Sequence, residues 1–275
     1  MTFQASVESS SETQLQCEGQ GEPLVLLHGI TGSARMWRRV VPLVRSRHTT
    51  IVPTALGHRG GTPASVRPAR IEHVVDDVER LLDRLGFARA HCVGNSMGGW
   101  VALELARRGR ALSVCALSPA GMWNSVPAGT VRKLSTIAKA TRGGRWLLPW
   151  LAYSPGFRRG VLRDNAVHGE RVSRAELIEL ADDVIGCSVI TDLLTTPERF
   201  TELAATCPIT LAWSERDRIF PVAKHAELAR QRIAGARFLV LPNVGHVPMF
   251  DDPQLIADTI LASTAVARPA ELSSL

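Results

Sequence analysis

Gly94-Asn95-Ser96-Met97-Gly98-Gly99 is the stretch from which the rest of the chain can be read. It follows an apolar run at 90–93 and opens a helix-like run at 97–108. A strand that turns sharply into a helix lifts one side chain out of the backbone. Flanking glycines remove the Cβ atoms that would clash with the neighbouring strand or helix. Ser96 is therefore a candidate nucleophile. A plain Gly/Ser turn has the same letters, but the strand and helix around them favour the nucleophile.

Outward from this elbow, short β-type runs alternate with helix-length amphipathic segments. Residues 24–27, 50–52, 90–93, 112–117, 209–213 and 238–241 read as strands covered on both faces. Helices are expected over 33–45, 71–85, 223–232 and 253–266. In 71–85, Val74, Val75, Val78, Leu81, Leu82 and Leu85 recur at helical spacing, and Gly86 supplies a stop. The alternation predicts an α/β fold, a mostly parallel central sheet flanked by helices, with ligands at the carboxyl ends of the strands.

From about residue 122 to 206 no strand is legible. Helix-like pieces lie at 131–140, 145–153 and 173–186, the last opening on a Ser173/Glu176 capping-box pattern. The expected division is a core of residues 1–121 and 207–275 with a helical cap at 122–206. Ordinary crossover helices are the alternative; the length of the insertion favours a cap.

At 275 residues, 45% hydrophobic and 21% charged, the composition fits one large globular domain. No apolar run approaches the ~20 residues of a membrane helix, and the polar first twenty residues lack the apolar centre of a signal peptide. A cytoplasmic protein without an integral membrane segment is expected. Five scattered cysteines show no C-x-x-C spacing, so neither a disulfide framework nor a metal site is expected. The net charge of +6 is spread over many arginines, and the Arg158, Arg159, Arg163 cluster has few aromatic neighbours. That pattern reads as a solvated face, not a nucleic-acid interface.

A serine hydroxyl needs a base and an orienting acid. His246 is the best base: it follows a late strand in Leu241-Pro242-Asn243-Val244-Gly245-His246, and the glycine allows a tight loop. Asp217, just after another strand, is the favoured acid, with Glu215 as competitor. Asp251 and Asp252 follow His246 too closely and are expected to cap the last helix. Donors for a developing oxyanion are the backbone N–H of Met97, after the nucleophile, and of Ile30, in the loop His28-Gly29-Ile30-Thr31-Gly32-Ser33.

Leu26-Leu27-His28-Gly29, the elbow, Asp217 after a strand and Gly245-His246 stand in an order that resembles the α/β-hydrolase fold superfamily over most of the chain. The resemblance implies an α/β-hydrolase fold of mainly eight strands with a variable helical cap. It also implies an acyl-enzyme mechanism through Ser96, His246 and Asp217, with no cofactor or metal. Relatives with an Asp nucleophile, the haloalkane dehalogenases and epoxide hydrolases, are set aside by Ser96; the latter also use cap tyrosines, and this chain has only Tyr153. The elbow resembles that of C–C hydrolases of meta-cleavage products, which typically carry Trp after the histidine, where this chain has Val247. Cofactor-free haloperoxidases (perhydrolases) share the triad. Many relatives have Asp and Ser in the loop that here runs Thr54-Ala55 to Thr62, so the support this loop gives the site is in question.

Trp123, Trp146, Trp150, Tyr153 and Phe157, with Trp37 and Trp100, suggest an aromatic-lined apolar pocket, or rings that simply pack the cap. The expected activity is hydrolysis of an ester, thioester or lactone of a small hydrophobic carboxylic acid. C–C hydrolysis and haloperoxidase activity are the alternatives within the enzyme class; a non-catalytic small-molecule-binding protein is the alternative outside it.

Overall fold

The computed structural model describes residues 16–124, 128–195 and 197–266. Its strands are β1 (Gln16–Gly19), β2 (Glu22–Leu27), β3 (His48–Val52), β4 (Ala90–Asn95), β5 (Ala111–Leu117), β6 (Ile209–Ser214) and β7 (Arg237–Leu241). They form one sheet in the order β1-β3-β2-β4-β5-β6-β7. β1 runs antiparallel to β3, and every other pairing is parallel. The resemblance implies mainly eight strands; seven lie among the described residues, and residues 1–15 fall outside them.

The helices are α1 (Val41–Val44), α2 (Ile71–Arg84), α3 (Met97–Arg107), α4 (Ala128–Gly144), α5 (Leu148–Leu151), α6 (Pro155–Leu162), α7 (Arg174–Gly186), α8 (Ile190–Thr195), α9 (Val222–Arg232), α10 (Pro248–Asp251) and α11 (Pro253–Ala265). None is long and apolar enough to cross a membrane among the described residues.

Alternate side chains of the central strands feed two cores. Val25, Leu27, Cys92, Val114 and Leu211 pack with α2, α3 and α9. Leu24, Leu26, Val93, Cys115 and Ala212 pack with α1 and α11. Burial on both faces explains why these strands read as continuous apolar runs. The chain leaves β2 for β3 on one side and returns to β4 on the other, and then builds outward through β5, β6 and β7. The carboxyl ends of β2 and β4 therefore flank the switch point where such sheets hold ligands.

Two expectations fail locally. The segment 33–45 is a 3-10 turn (Ala34–Trp37) followed by the short α1, not one helix. Pro42 has no N–H to donate to Arg38 and its ring crowds that carbonyl, so the helix restarts. β1, absent from the sequence reading, is an edge strand of largely polar, exposed residues with no apolar alternation to reveal it.

Helices α4 to α8 all lie between β5 and β6. Polar side chains tie them to the sheet domain. Asp183 of α7 is buried; it accepts from Ser33 Oγ at 2.6 Å and from Arg35 and Arg59 at 3.1 Å each. Asp192 of α8 accepts from the Ala69 N–H at 2.8 Å. The Ser173/Glu176 capping box at the start of α7 is formed in both directions.

Candidate active site

Ser96 sits at φ +57°, ψ −116°, a conformation that side-chain-bearing residues rarely adopt. Its surroundings hold it there. Its N–H donates to Leu117 O at 2.9 Å, and its carbonyl accepts from Ala120 N at 2.9 Å and Trp100 N at 3.1 Å. A Cβ at Gly94 would lie 2.1 Å from the Gly98 carbonyl, and one at Gly98 would lie 2.2 Å from Leu27 O. The two glycines are thus required by backbone contacts between strand, elbow and helix.

His246 reaches the same place from the loop after β7. The Gly245 N–H donates to Asp251 Oδ2 at 2.8 Å, the Val247 N–H to Asn165 O at 2.7 Å, and Asn95 Nδ2 donates to His246 O at 2.8 Å. The imidazole stands edge-on to Phe220, with 5.1 Å between ring centroids. Its Nδ1 is 2.7 Å from Asp217 Oδ2. Both side chains are buried. The other Asp217 oxygen accepts the N–H groups of Ile219 at 2.8 Å and Phe220 at 2.7 Å. The carboxylate is therefore fixed by three hydrogen bonds. Glu215 faces outward and accepts the Asn243 N–H at 2.8 Å, bracing the loop that leads to His246.

The loop after β2 passes directly over the elbow: a Cβ on Gly29 would lie 3.3 Å from Ser96 Cβ. His28 shapes this loop. The Ala55 N–H donates to its Nε2 at 2.9 Å, so its proton is on Nδ1, which donates to Gly29 O at 2.7 Å. Burial, with His58 5.0 Å away, depresses the His28 pKa to about 3; burial also lowers that of His58, to about 4. Both rings are neutral at ordinary pH. Ile30 and Met97 line the space beside Ser96, and neither N–H is taken up by a turn, cap or loop hydrogen bond among the described residues. Thr54 accepts the Ala34 N–H at 3.1 Å and ties the loop after β3 to the 3-10 turn.

Ser96, Met97, Ile30 and His246 open onto a cavity of about 160 Å³. Trp100 and Trp123 form part of its wall, edge to face at 5.8 Å. Trp37 does not: it is fully buried against α1 in the opposite core. Trp146 and Trp150 are 72% and 75% exposed and do not line the cavity. Tyr153 lies under the Arg174 guanidinium at 4.1 Å, also away from it. Residue type alone did not say which face of a helix each ring occupies.

Three residues of the site have no signature in the sequence. Asn95 bridges the elbow to the histidine loop. Asp251, expected as a helix cap, instead receives the N–H groups of Gly245, Val167 and His168 and locks the histidine loop to the chain after α6; Asp252 does cap α11, through the Leu255 N–H. Glu198 lines the cavity, its carboxylate accepts the Ile71 N–H at 3.3 Å, and burial raises its pKa.

A model of the Alpha/beta hydrolase family matches residues 24–259. "Epoxide hydrolase EphH" of Mycobacterium tuberculosis is 36% identical over 202 residues, covering 68% of this chain and 91% of that protein. A thermophilic esterase from Thermogutta terrifontis superposes with TM-score 0.71 at 21% identity, covering 93% of both chains. A meta-cleavage product hydrolase from Pseudomonas fluorescens gives TM-score 0.70 at 18% identity, covering 93% of this chain and 95% of that one. At such identities the two structures speak for the fold alone.

Proposed function

The chain belongs to the Alpha/beta hydrolase family, and from that premise we propose that it hydrolyses neutral carboxylic esters, thioesters or lactones through Ser96, His246 and Asp217. The observation that carries this reading is the buried 2.7 Å pair of His246 and Asp217 on a cavity whose wall also holds Ser96 at its strained elbow.

In this reading Asp217 holds the His246 proton on Nδ1, which leaves Nε2 free to take the Ser96 proton. Ser96 Oγ attacks the acyl carbon, and the N–H groups of Ile30 and Met97 receive the developing oxyanion. Protonated His246 gives its proton to the leaving alcohol, thiol or hydroxyl. A water deprotonated by His246 then cleaves the acyl-enzyme and restores Ser96. Hydrogen peroxide in place of that water gives a peracid, which is how a perhydrolase side activity arises from the same groups. Helices α4 to α8 act as the cap over this chemistry.

The charge of the wall bears on the substrate. Among the described residues, His246 and Glu198 are its ionisable side chains, and no Lys or Arg lines it. A dienoate, the substrate of a C–C hydrolase, would set its carboxylate beside Glu198 with no cation to pair it. This favours a neutral ester. An epoxide raises a different objection. Serine opening an epoxide makes an ether, and an ether offers water no carbonyl to attack, whereas an aspartate would make a hydrolysable ester.

The test is a panel of p-nitrophenyl butyrate, a vinylogous diketone acid and styrene oxide, run on wild type, Ser96→Ala and His246→Ala. The reading expects turnover of the ester alone, with both variants losing at least about 10³-fold. Turnover of the epoxide or the diketone acid with the ester inert would overturn it.

A further inference from the structure

A second cavity, of about 380 Å³, adjoins the first and is lined by residues of α4 to α7. The two share a wall that includes Ile30, Met36, Asn165, Val184 and Val247. We propose that this second chamber is the binding site for a long hydrocarbon chain of the substrate, on either side of the scissile bond. The inference rests on the ester-hydrolase reading above and narrows it from small acids to chain-bearing esters.

Three observations carry it. The first is composition. Beyond the shared wall the lining is mainly aliphatic and aromatic, with Leu148, Phe157, Leu162, Leu177, Leu180 and Phe250, and Thr141 is its hydroxyl-bearing member. Among the described residues no charged side chain lines it. A surface this largely apolar gains free energy from each methylene that leaves water. The second is adjacency. The shared wall includes Ile30, one of the two proposed oxyanion donors, and Val247, next to His246, so the chamber borders the place where the acyl carbon must sit. The third is the outer end. Ile137, Leu147, Leu151 and Val161 line the chamber yet are 41%, 38%, 44% and 48% exposed, so part of its wall reaches solvent.

Burial of a methylene is worth up to about fourfold in binding. Activity therefore rises with chain length until the chamber is full. The experiment compares p-nitrophenyl butyrate with p-nitrophenyl decanoate, and ethyl acetate with decyl acetate, in wild type, Ala181→Phe and Leu148→Trp. Both variants enlarge a side chain of the chamber wall and leave Ser96, His246 and Asp217 untouched. In parallel, 2-decanone and 2-butanone, ketones that cannot be hydrolysed, are titrated into Ser96→Ala by calorimetry, with and without Ala181→Phe.

The expected result is kcat/KM at least 30-fold higher for the ten-carbon member of at least one ester series. Either wall variant cuts that member at least tenfold and the short ester less than twofold. 2-Decanone binds at least tenfold tighter than 2-butanone, and Ala181→Phe abolishes the difference. Flat chain-length profiles with equal ketone affinities would overturn the proposal, as would wall variants that depress short and long esters alike. If no ester is turned over, the ester-hydrolase reading has failed, while the ketone titration still decides the chamber: a tenfold preference for 2-decanone supports it and equal affinities overturn it.

Discussion

Replacing Asp217 by asparagine tests the site at the level of single protons. The two residues have the same shape, so packing is preserved. Orientation of the amide is dictated by the backbone. The N–H groups of Ile219 and Phe220, at 2.8 and 2.7 Å, both demand an acceptor on one side of the side chain. An amide turned with its NH₂ toward them would set donor against donor in a buried turn. The asparagine carbonyl must take that side, which aims the NH₂ at His246 Nδ1, now 2.7 Å from a carboxylate oxygen. Nδ1 becomes an acceptor, the imidazole proton moves to Nε2, and the atom that should receive the Ser96 proton already carries one. The same tautomer inversion in a serine protease triad costs on the order of 10⁴-fold in kcat, or about 5 kcal/mol of barrier. We expect Asp217→Asn to lose 10³–10⁴-fold in kcat for p-nitrophenyl butyrate, by stopped-time assay, with an unchanged near-ultraviolet circular dichroism spectrum. Glu215→Gln, on an exposed carboxylate that accepts the Asn243 N–H, should stay within about threefold. Retention of a tenth of the activity by Asp217→Asn, or an equal loss in Glu215→Gln, refutes the reasoning.

Three further outcomes follow from other parts of the molecule. Stability should fall on acidification because His28 and His58 have folded-state pKa values of about 3 and 4, below the unfolded value of 6.5. The unfolded chain binds their protons first, so the stability they contribute is complete above pH 6.5 and is lost as pH falls toward 4. Each adds a slope approaching ~1.4 kcal/mol per pH unit, measurable by urea unfolding at pH 7, 6 and 5; a flat profile across that window contradicts it. Glu198→Gln should lower KM for the anionic p-nitrophenyl hemisuccinate by roughly 3- to 10-fold, the effect of removing one nearby like charge, and change butyrate less than twofold. An unaltered ratio between the two esters means that Glu198 does not face the substrate. Gly98→Ala drives a Cβ to within 2.2 Å of Leu27 O, and neither the strand nor the helix backbone can give way cheaply. It should destabilise by about 1–3 kcal/mol or more in urea and lose activity with it; a fully stable Gly98→Ala would refute the close contact.

What the sequence made legible follows a physical pattern. Strands buried on both faces, the length of α2 and the glycine-flanked Ser96 depend on local patterning and backbone clearance, and local letters carry both. The wall of the cavity depends on which side of a helix a ring occupies after packing. Trp37 and Trp100 look alike in sequence, yet one fills the core against α1 and the other faces the cavity. Asp251 misleads for a related reason. Its place just before α11 suggests a cap, while its partners, Val167 and His168, lie more than eighty residues away. β1 escaped because an edge strand of polar residues buries too little to leave a pattern.

The central claim is that Ser96 is a nucleophile made reactive by His246. Intact-protein mass spectrometry after exposure to a fluorophosphonate, with peptide mapping, measures this directly. One adduct on wild type, located on Ser96 and lost in both Ser96→Ala and His246→Ala, is the predicted result. An unlabelled wild type, or equal labelling of Ser96→Ala, would contradict the account.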